Sequence, residues 1–456
     1  MRSFQKSFHY CHSERSEESE LSSLEYLSLI RIFRSLITLR SVQDDIKKYS
    51  YQKSIFKTLV ISLMSLLFAS CVENDNPLPI PIRDPQKSRL LNSTPIPATS
   101  LRRLEGVYKV EQGKNSFGDQ VILKQIGNHI ALFCANETYF VFETGFVDSL
   151  AIFEGYWRFD LGTQQGYSTL DISSKFESQK PDSNFMLKGR YNATQPLLLR
   201  FSRPLKDTTN NFLIFDHHGG YNGAGLPYSE NSLNSIRYAQ YEGANGIEID
   251  VRLTADNIPI LFHDADLTTN IINGEFAIGP LTNYTLAQLR ALCTLKDGSP
   301  IPTLQEALDV ILNETGYQVV WLDIKDAGTV KYVLPIEISY LNTVKASGKN
   351  ITVWAGLPTS DHVTAYLADT LHTEAPSLCE LNPSDVENAN SAAWGPRWTL
   401  GDLTTEAKPL RAEGKKVVYW TLDKPEFINP FLSHGGLDGL LTDHPGTVAY
   451  YYYIRN

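Results

Sequence analysis

The chain has 456 residues, of which 42% are hydrophobic and 20% are charged. This length predicts one to three domains, and the composition excludes a disordered chain, a collagen-like repeat and a polytopic membrane protein. The 41 basic and 51 acidic residues give a formal net charge of −10. Since no basic run stands out, the chain lacks the usual features of a protein that tracks nucleic-acid phosphates, and we expect no nucleic-acid partner.

The first informative segment is an apolar run over residues 58–70, which follows Lys53 and Lys57. The run has the length of a signal-peptide core and is shorter than a membrane-spanning helix. The cysteine box Ala69-Ser70-Cys71 resembles the cleavage box of bacterial lipoproteins, in which the cysteine carries the lipid. We therefore expect a lipoprotein signal peptide over 51–71 and a lipid anchor at Cys71. These features place the protein in a bacterial cell envelope, facing the periplasm or the surface. The alternative is a short buried apolar segment that ends in an ordinary cysteine.

The segments on either side of this signal also have distinct compositions. About fifty residues precede it, although a signal peptide belongs at the start of a chain. We expect residues 1–50 to be an unstructured extension that results from a start codon assigned too far upstream. Several prolines between 77 and 97 favour an extended tether over 72–100.

Short β-rich runs separated by turn residues extend over 101–206. The runs are 106–110, 121–123, 130–133, 139–142 and 197–201. Their close spacing predicts a small antiparallel β sandwich or barrel. Because no histidine, cysteine or carboxylate cluster stands out, we interpret this region as an accessory domain for packing or carbohydrate contact.

From 211 to 456, apolar strand runs alternate with helical stretches, which is typical of an α/β fold with a parallel sheet. The predicted strands are 212–216, 246–251, 258–262, 318–324, 351–354, 375–381, 417–422 and 438–442. A capping box of Thr303 and Glu306 begins a predicted helix over 304–314. Eight strands in about 240 residues match the length of a (β/α)8 TIM barrel.

The strand over 246–251 carries two carboxylates, Glu248 and Asp250, on one face and apolar residues on the other. Two buried carboxylates side by side repel each other unless a cation neutralises them. Oxygen ligands of this kind suit Ca²⁺ or Mg²⁺. A strand with a solvated polar face remains the other interpretation of the pair.

Histidines follow two of the apolar runs, His217 and His218 after 212–216 and His263 after 258–262. Barrel enzymes place their active sites at the carboxyl ends of the strands. Two histidines beside a bound cation can act as base and acid on a phosphodiester.

Taken together, residues 212–449 resemble the glycerophosphodiester phosphodiesterase family. The segments that carry the resemblance are His217-His218-Gly219, Glu230-Asn231, Gly243-Ala244-Asn245, Glu248 to Asp256, His263-Asp264, Asp323-Ile324-Lys325, Trp420-Thr421 and Asp438 to Pro445. This ordered set of motifs is highly specific.

The resemblance implies a reaction and a role for each matching residue. It implies that a small glycerophosphodiester is split into glycerol phosphate and an alcohol, in lipid head-group metabolism, with His217 and His263 as the acid and base. It implies three ligands of one divalent cation, Ca²⁺ or Mg²⁺: Glu248, Asp250 and Asp323. It implies four residues that contact the substrate or its phosphate: His218, Glu230, Lys325 and Trp420.

Two departures from the family pattern keep other functions open. His218 stands where the family has arginine, so the bidentate contact with phosphate is lost. Asp323 stands where the family has glutamate and is one methylene shorter. A second enzymatic hypothesis is hydrolysis of another phosphodiester: a phospholipid, a teichoic-acid-like polymer or a cyclic diester. A third is a surface lipoprotein that binds ligands without catalysis, although the retained histidines and carboxylates argue against it.

Overall fold

The structure is a computed structural model, and it describes residues 78–81, 85–148, 150–160, 162–177, 180–206, 211–220 and 227–455. The predicted extension over 1–50, the signal peptide over 51–71 and Cys71 lie outside the described residues. In the part of the chain that is described, no helix combines the length and the apolar character needed to cross a bilayer.

Residues 85–104 pack against the β-rich region that follows them. They form short 3₁₀ turns and helix α1 (Ala98–Leu101), and Ile96 and Leu101 are fully buried. The backbones of Thr94 and Phe146 exchange two hydrogen bonds. The part of the predicted tether from 85 to 100 is therefore folded, because its apolar side chains extend the core of the neighbouring domain.

The β-rich region is a closed barrel of eight antiparallel strands, counted over the described residues. The strands are β1 (Gly106–Gln112), β2 (Gln120–Ile126), β3 (His129–Cys134), β4 (Thr138–Val147), β5 (Leu150–Phe159), β6 (Gln165–Ser173), β7 (Met186–Tyr191) and β8 (Gln195–Arg203). A short helix α2 (Lys114–Phe117) follows β1. Strand β1 pairs with both β2 and β8. Of the sandwich and the barrel that the sequence predicted, the structure therefore has the barrel.

The second barrel begins with β9 (Leu213–Asp216), β10 (Gly246–Leu253) and β11 (Pro259–Leu261). Four short strands follow: β12 (Asp266–Leu267), β13 (Ile272–Asn273), β14 (Gly279–Pro280) and β15 (Thr294–Leu295). The remaining strands are β16 (Val319–Ile324), β17 (Thr352–Leu357), β18 (Ser377–Cys379), β19 (Ala393–Trp394), β20 (Lys416–Tyr419) and β21 (Gly439–Thr442). Parallel pairing runs from β9 through β10 and β16 to β21 and back to β9, which closes an eight-stranded barrel.

Helices connect the strands of this barrel. They are α3 (Leu233–Ala239), α4 (Leu286–Leu292), α5 (Leu304–Glu314), α6 (Val330–Ser347), α7 (Ser360–Ala368), α8 (Pro383–Asn388), α9 (Thr404–Ala412), α10 (Pro425–His434) and α11 (Pro445–Tyr453). Helix α5 begins at the predicted capping box, in which Thr303 and Glu306 bond to each other's backbone N–H groups. The predicted TIM barrel is therefore present, together with a connecting helix that starts where the sequence places it.

One predicted barrel strand is wrong. The run over 258–262 forms β11, which pairs antiparallel with β10 and lies outside the closed barrel. The loop 254–258 is too short for the crossover of about a dozen residues that joins parallel strands. The eighth parallel strand is instead β19, a two-residue strand that no sequence pattern indicated.

Contacts between the two barrels involve both apolar and polar side chains. The ring of Phe133, in the first barrel, packs closely on Gly243. A Cβ on Gly243 would lie 2.9 Å from this ring. The hydroxyl of Tyr139 donates to Glu242 at 2.8 Å. An ion pair joins Asp160 of the first barrel to His444, with 3.1 Å between carboxylate oxygen and Nδ1. The first barrel therefore contacts the loop that follows β21.

The Asp160 and His444 pair predicts a pH-dependent stability. Burial alone would lower the pKa of His444, but the carboxylates of Asp160, Asp423 and Asp443 raise it to about 10. The imidazolium therefore stabilises the fold fully below about pH 6.5, where unfolded histidine is also protonated, and the contribution is lost by about pH 10. We expect Asp160→Asn to lower the free energy of unfolding at pH 6 by about 1 to 3 kcal/mol. The free energy of unfolding of this variant should also decrease less as the pH rises.

The measurement is thermal unfolding at several pH values between 6 and 10. Asp171→Asn is the matched control, since Asp171 lies on the same barrel in an exposed pair with Arg89 and such pairs contribute about 0 to 1 kcal/mol. An identical pH dependence in Asp160→Asn and in the unmodified protein would show that the pair contributes nothing.

Candidate active site

His217 lies immediately after β9, at the carboxyl end of the parallel barrel. Its Nδ1 is 2.7 Å from Oδ1 of Asp443, and its Nε2 is 4.0 Å from Oε2 of Glu248. Burial would lower the pKa of His217, but the carboxylate of Asp443, with Glu248 and Asp250, raises it to about 9. The ring is therefore held in one orientation, and these carboxylates favour its protonated form.

The backbone after His217 makes a tight turn that requires glycine. His218 has φ 52°, and Gly219 and Gly220 have φ 62° and 109°. A Cβ on Gly220 would lie 2.8 Å from Cβ of Ser235 in α3. The turn directs the backbone N–H of His218 to Glu248, which accepts its hydrogen bond at 2.7 Å.

Three carboxylates form the centre of the site. Glu248 and Asp250 of β10 are 1% and 0% exposed, and Asp323 lies on the neighbouring strand β16 directly opposite Asp250. One oxygen from each of Glu248, Asp250 and Asp323 lies within 4.8 Å of the other two. Burial, and then the charge of Asp250, raise the pKa of Glu248.

This centre fits a divalent cation. Oε1 of Glu248 is buried and has no hydrogen-bond partner among the described residues. Carboxylate oxygens, such as this one and those of Asp250 and Asp323, are the ligands that Ca²⁺ and Mg²⁺ prefer. The alternative interpretation of a solvated polar face is wrong for this strand, because both of its carboxylates are buried.

Lys325 and Asn231 hold Asp250 in place. The ammonium of Lys325 is 2.9 Å from Oδ1 of Asp250 and 2.6 Å from Oδ2 of Asp323. Asn231 donates to Oδ2 of Asp250 and accepts from its backbone N–H at 3.1 Å. Although burial would raise the pKa of Asp250, Lys325 is the main cause that lowers it. Asp250 is therefore ionised.

His263 reaches the site through the antiparallel hairpin of β10 and β11. Its Nδ1 is 2.8 Å from Oδ1 of Asp264, and its backbone carbonyl accepts from Nε of Arg252 at 2.7 Å. Its ring centre is 4.4 Å from that of His218, which is 3.8 Å from that of His217. The three imidazoles therefore form a continuous row above the carboxylates.

Glu230 is placed by the segment that carries β12 to β15. Asp297 of that segment donates its backbone N–H to the hydroxyl of Ser229 at 3.0 Å. Next to Ser229, the carboxylate of Glu230 lies 3.3 Å from Nδ1 of His218. The insertion after β11 therefore supports the loop that faces His218.

The structure brings together eight of the nine residues predicted for the site: His217, His218, Glu230, Glu248, Asp250, His263, Asp323 and Lys325. The ninth, Trp420, follows β20 at the same end of the barrel. Its indole donates to the carbonyl of Gly395 at 2.7 Å, and its ring lies 4.5 Å from the guanidinium of Arg397. These described contacts do not join Trp420 to the histidines or the carboxylates.

Sequence reasoning assigned no role to Asp443, Asp264 or Asn231, although all three lie within the quoted motifs. Asp443 contacts a histidine 226 positions away, so no local periodicity could reveal the pair. Asp423 accepts the backbone N–H of Asp443 at 2.8 Å. Burial, followed by repulsion from Asp443, raises the pKa of Asp423 to about 6.

We predict that Asp443→Asn reduces turnover about 10- to 100-fold, as for carboxylates that orient metal-bound histidines. The asparagine removes the charge that keeps the pKa of His217 high, so this pKa should fall. The NMR titration of the His217 ring reports the shift, and steady-state kinetics report the rate. An unchanged His217 titration would contradict the assignment of Asp443 as its partner.

The arrangement offers acid, base and cation chemistry within a few ångströms. Two imidazoles, each with a carboxylate at Nδ1, lie on either side of His218. Such pairs can take up and release protons at Nε2. The site is therefore suited to a reaction in which a negatively charged group forms one bond while it breaks another.

About half of the chain matches a known protein family. Residues 218–447 match the model of the Glycerophosphoryl diester phosphodiesterase family. A Glycerophosphodiester phosphodiesterase of Caldanaerobacter subterraneus subsp. tengcongensis is 28% identical over 256 residues, which are 52% of this chain and 96% of that protein. Glycerophosphodiester phosphodiesterase 1 of Bos taurus is 37% identical over 119 residues, 24% of this chain and 32% of that protein. The chain therefore spans about a third of this mammalian relative.

Solved structures of similar proteins match about half of this chain. A phosphodiesterase from Oleispira antarctica, in complex with the product sn-glycerol-3-phosphate, superposes with a TM-score of 0.42 and 22% identity. The match covers 52% of this chain and 94% of that one.

Proposed function

The chain belongs to the glycerophosphoryl diester phosphodiesterase family, and we propose that it is a metal-dependent phosphoric diester hydrolase. The proposed substrates are small glycerophosphodiesters, which are split into glycerol phosphate and an alcohol. The observation that carries the proposal is the position of His217 and His263 around three carboxylates, two of which are buried. A catalytically inactive binding protein would not need two oriented imidazoles there.

The proposed cation ligands are Glu248, Asp250 and Asp323, in agreement with the unpartnered buried oxygen of Glu248. A divalent cation held there would neutralise charge on the phosphoryl oxygens. Lys325 contacts two of these carboxylates and supplies a further positive charge next to the phosphate. The site would then stabilise the negative charge that accumulates as the new bond to phosphorus forms.

The two histidines would move the protons of the reaction. One imidazole accepts the proton of the hydroxyl that attacks phosphorus, and the other donates a proton to the alkoxide that leaves. One P–O bond forms as another breaks, and the proton taken from the attacking hydroxyl is balanced by the proton given to the leaving alcohol. Asp443 and Asp264 keep the Nδ1–H of each ring in a hydrogen bond, which leaves Nε2 for this exchange.

His218 supports a second candidate, a phosphodiester other than a small glycerophosphodiester. The imidazole lacks the paired donors with which arginine holds two phosphate oxygens. A phospholipid, a teichoic-acid-like polymer or a cyclic diester would then bind through other parts of the molecule. The candidates share the reaction and differ in substrate.

The test uses the purified protein with glycerophosphocholine, glycerophosphoethanolamine and glycerophosphoinositol, each with EDTA or with added Mg²⁺ or Ca²⁺. We expect glycerol phosphate to be released, EDTA to stop the release, and a divalent cation to restore it. Release that EDTA does not affect would contradict the proposed dependence on a divalent cation. Failure with all three substrates, and hydrolysis of a cyclic diester or phospholipid, would favour the second candidate.

We also propose that the protein is anchored by lipid at Cys71 in a bacterial cell envelope. The support is the apolar run over 58–70 and the cysteine box that follows it. Mass spectrometry of the natural protein should find a lipid-modified cysteine at its amino terminus. Any peptide from residues 1–50 would show that this segment is translated and would contradict the proposal that the start codon is assigned too far upstream.

A further inference from the structure

His218 introduces a nitrogen donor between the two histidines already described. Its side chain is 10% exposed, and its left-handed backbone fixes the ring between those of His217 and His263. One possible ligand atom from each of His218, Asp250 and His263 lies within 4.8 Å of the others. This group differs from the three-carboxylate group in its donors, since it offers two nitrogens and one oxygen.

Both rings in this group carry a carboxylate at Nδ1. Nδ1 of His218 is 3.3 Å from Glu230, and Nδ1 of His263 is 2.8 Å from Asp264. A carboxylate at Nδ1 favours the tautomer that carries its proton there, in which Nε2 is the nitrogen that binds a metal. Histidines that bind metals almost always have this second partner, because it orients the ring and raises its basicity.

We propose that His218, Asp250 and His263 form a second cation site, for a divalent ion that prefers imidazole nitrogen, such as Zn²⁺. Zn²⁺ binds histidine nitrogen and carboxylate oxygen at three or four positions, whereas Mg²⁺ and Ca²⁺ prefer oxygen alone. Asp250 belongs to both groups and would bridge the two ions. Pairs of ions about 3.5 to 4 Å apart are common in enzymes that act on phosphoesters.

The consequence for activity rests on the proposed function. An ion bound by His263 would engage the imidazole that otherwise takes up or releases a proton. Zn²⁺ therefore inhibits a reaction that Mg²⁺ or Ca²⁺ supports. Binding itself is independent of turnover, so the site can be tested even if no substrate is hydrolysed.

The test measures Zn²⁺ affinity by competition with a chromophoric chelator, and the visible absorption of bound Co²⁺. We compare the full-length protein with His218→Arg and His218→Asn. Arginine stays protonated and cannot bind a metal, while asparagine tolerates the left-handed backbone of this position. We expect both variants to bind Zn²⁺ about 10- to 100-fold more weakly and to lose the Co²⁺ absorption bands of nitrogen ligation.

Binding of Mn²⁺ at the three carboxylates, followed by electron paramagnetic resonance, is the internal control for a folded site. Both variants should retain it within about threefold. Equal Zn²⁺ affinity in the unmodified protein and in both variants would overturn the proposal. Loss of Zn²⁺ binding in His217→Ala with full binding in His263→Ala would overturn it as well, because His217, His218 and Glu248 form the other group that contains His218.

Discussion

Replacing either His217 or His263 with alanine is expected to reduce glycerophosphodiester turnover by about 10²- to 10⁴-fold, the usual contribution of a general acid or base. Nδ1 of His217 lies 2.7 Å from the carboxylate of Asp443, and Nδ1 of His263 lies 2.8 Å from that of Asp264. Alanine removes the Nε2 that exchanges the proton and leaves the three carboxylates in place. Steady-state kinetics at saturating cation measure the loss.

A histidine outside the site provides the control. His434 lies at the end of α10 with 60% of its side chain exposed, and His434→Ala should retain activity. Circular dichroism and thermal unfolding should show that all three variants remain folded. Full activity in both His217→Ala and His263→Ala would remove the histidines from the reaction and leave the cation as the only reactive element.

The second large effect concerns Glu248. Glu248→Gln should reduce turnover by at least about 10²-fold, because a bound cation contributes several kcal/mol of charge stabilisation and about 1.4 kcal/mol is a tenfold change in rate. The same change should leave the cation-free protein as stable as before, or more stable. The reason is that burial, and then the charge of Asp250, disfavour the charged form of Glu248 and raise its pKa.

Turnover as a function of Mg²⁺ or Ca²⁺ concentration, with thermal unfolding in EDTA, tests this prediction. Glu337→Gln is the matched control, since Glu337 in α6 is also a fully buried glutamate whose pKa burial raises. It should not alter the cation dependence. A marked loss of stability in Glu248→Gln without cation would indicate a structural role for this carboxylate.

The parts of the site that sequence could predict are those set by local periodicity. Glu248 and Asp250 alternate with Ile247 and Ile249 along one strand, so their common direction followed from the period of two. The two isoleucines are buried at 0% exposure on the opposite face. Local order of this kind indicated both the strand and the carboxylate group.

Contacts that depend on distant parts of the chain were not predictable in this way. Asp443 meets His217 only because β21 returns to pair with β9 and closes the barrel. Asp160 meets His444 only because the first barrel packs on the second. Neither pair leaves a periodic or compositional signal in its own segment.

Two errors concern short strands, and each has its own physical reason. The run 258–262 has the apolar character of a barrel strand, but the short loop before it allows only an antiparallel hairpin with β10. Strand β19 has two residues and therefore no alternation to detect. The number of parallel strands was nevertheless right, because the hairpin strand replaced the undetected one in the count.

The hairpin also explains how His263 enters the site. Val251 of β10 lies opposite Leu261 of β11, so the chain that leaves β11 runs alongside the carboxyl end of β10. His263 then lies next to Asp250 without a strand of its own in the barrel. An error in topology thus left the predicted position of this histidine unchanged.

The most direct measurement follows the phosphorus of glycerophosphocholine by ³¹P NMR, with the purified protein and Mg²⁺ or Ca²⁺. We predict that the diester signal is replaced by that of glycerol phosphate as choline is released, and that His217→Ala with His263→Ala in one chain shows no conversion. Formation of choline phosphate and glycerol would mean that the other P–O bond breaks. Equal conversion by the double variant would contradict acid and base catalysis by the two histidines.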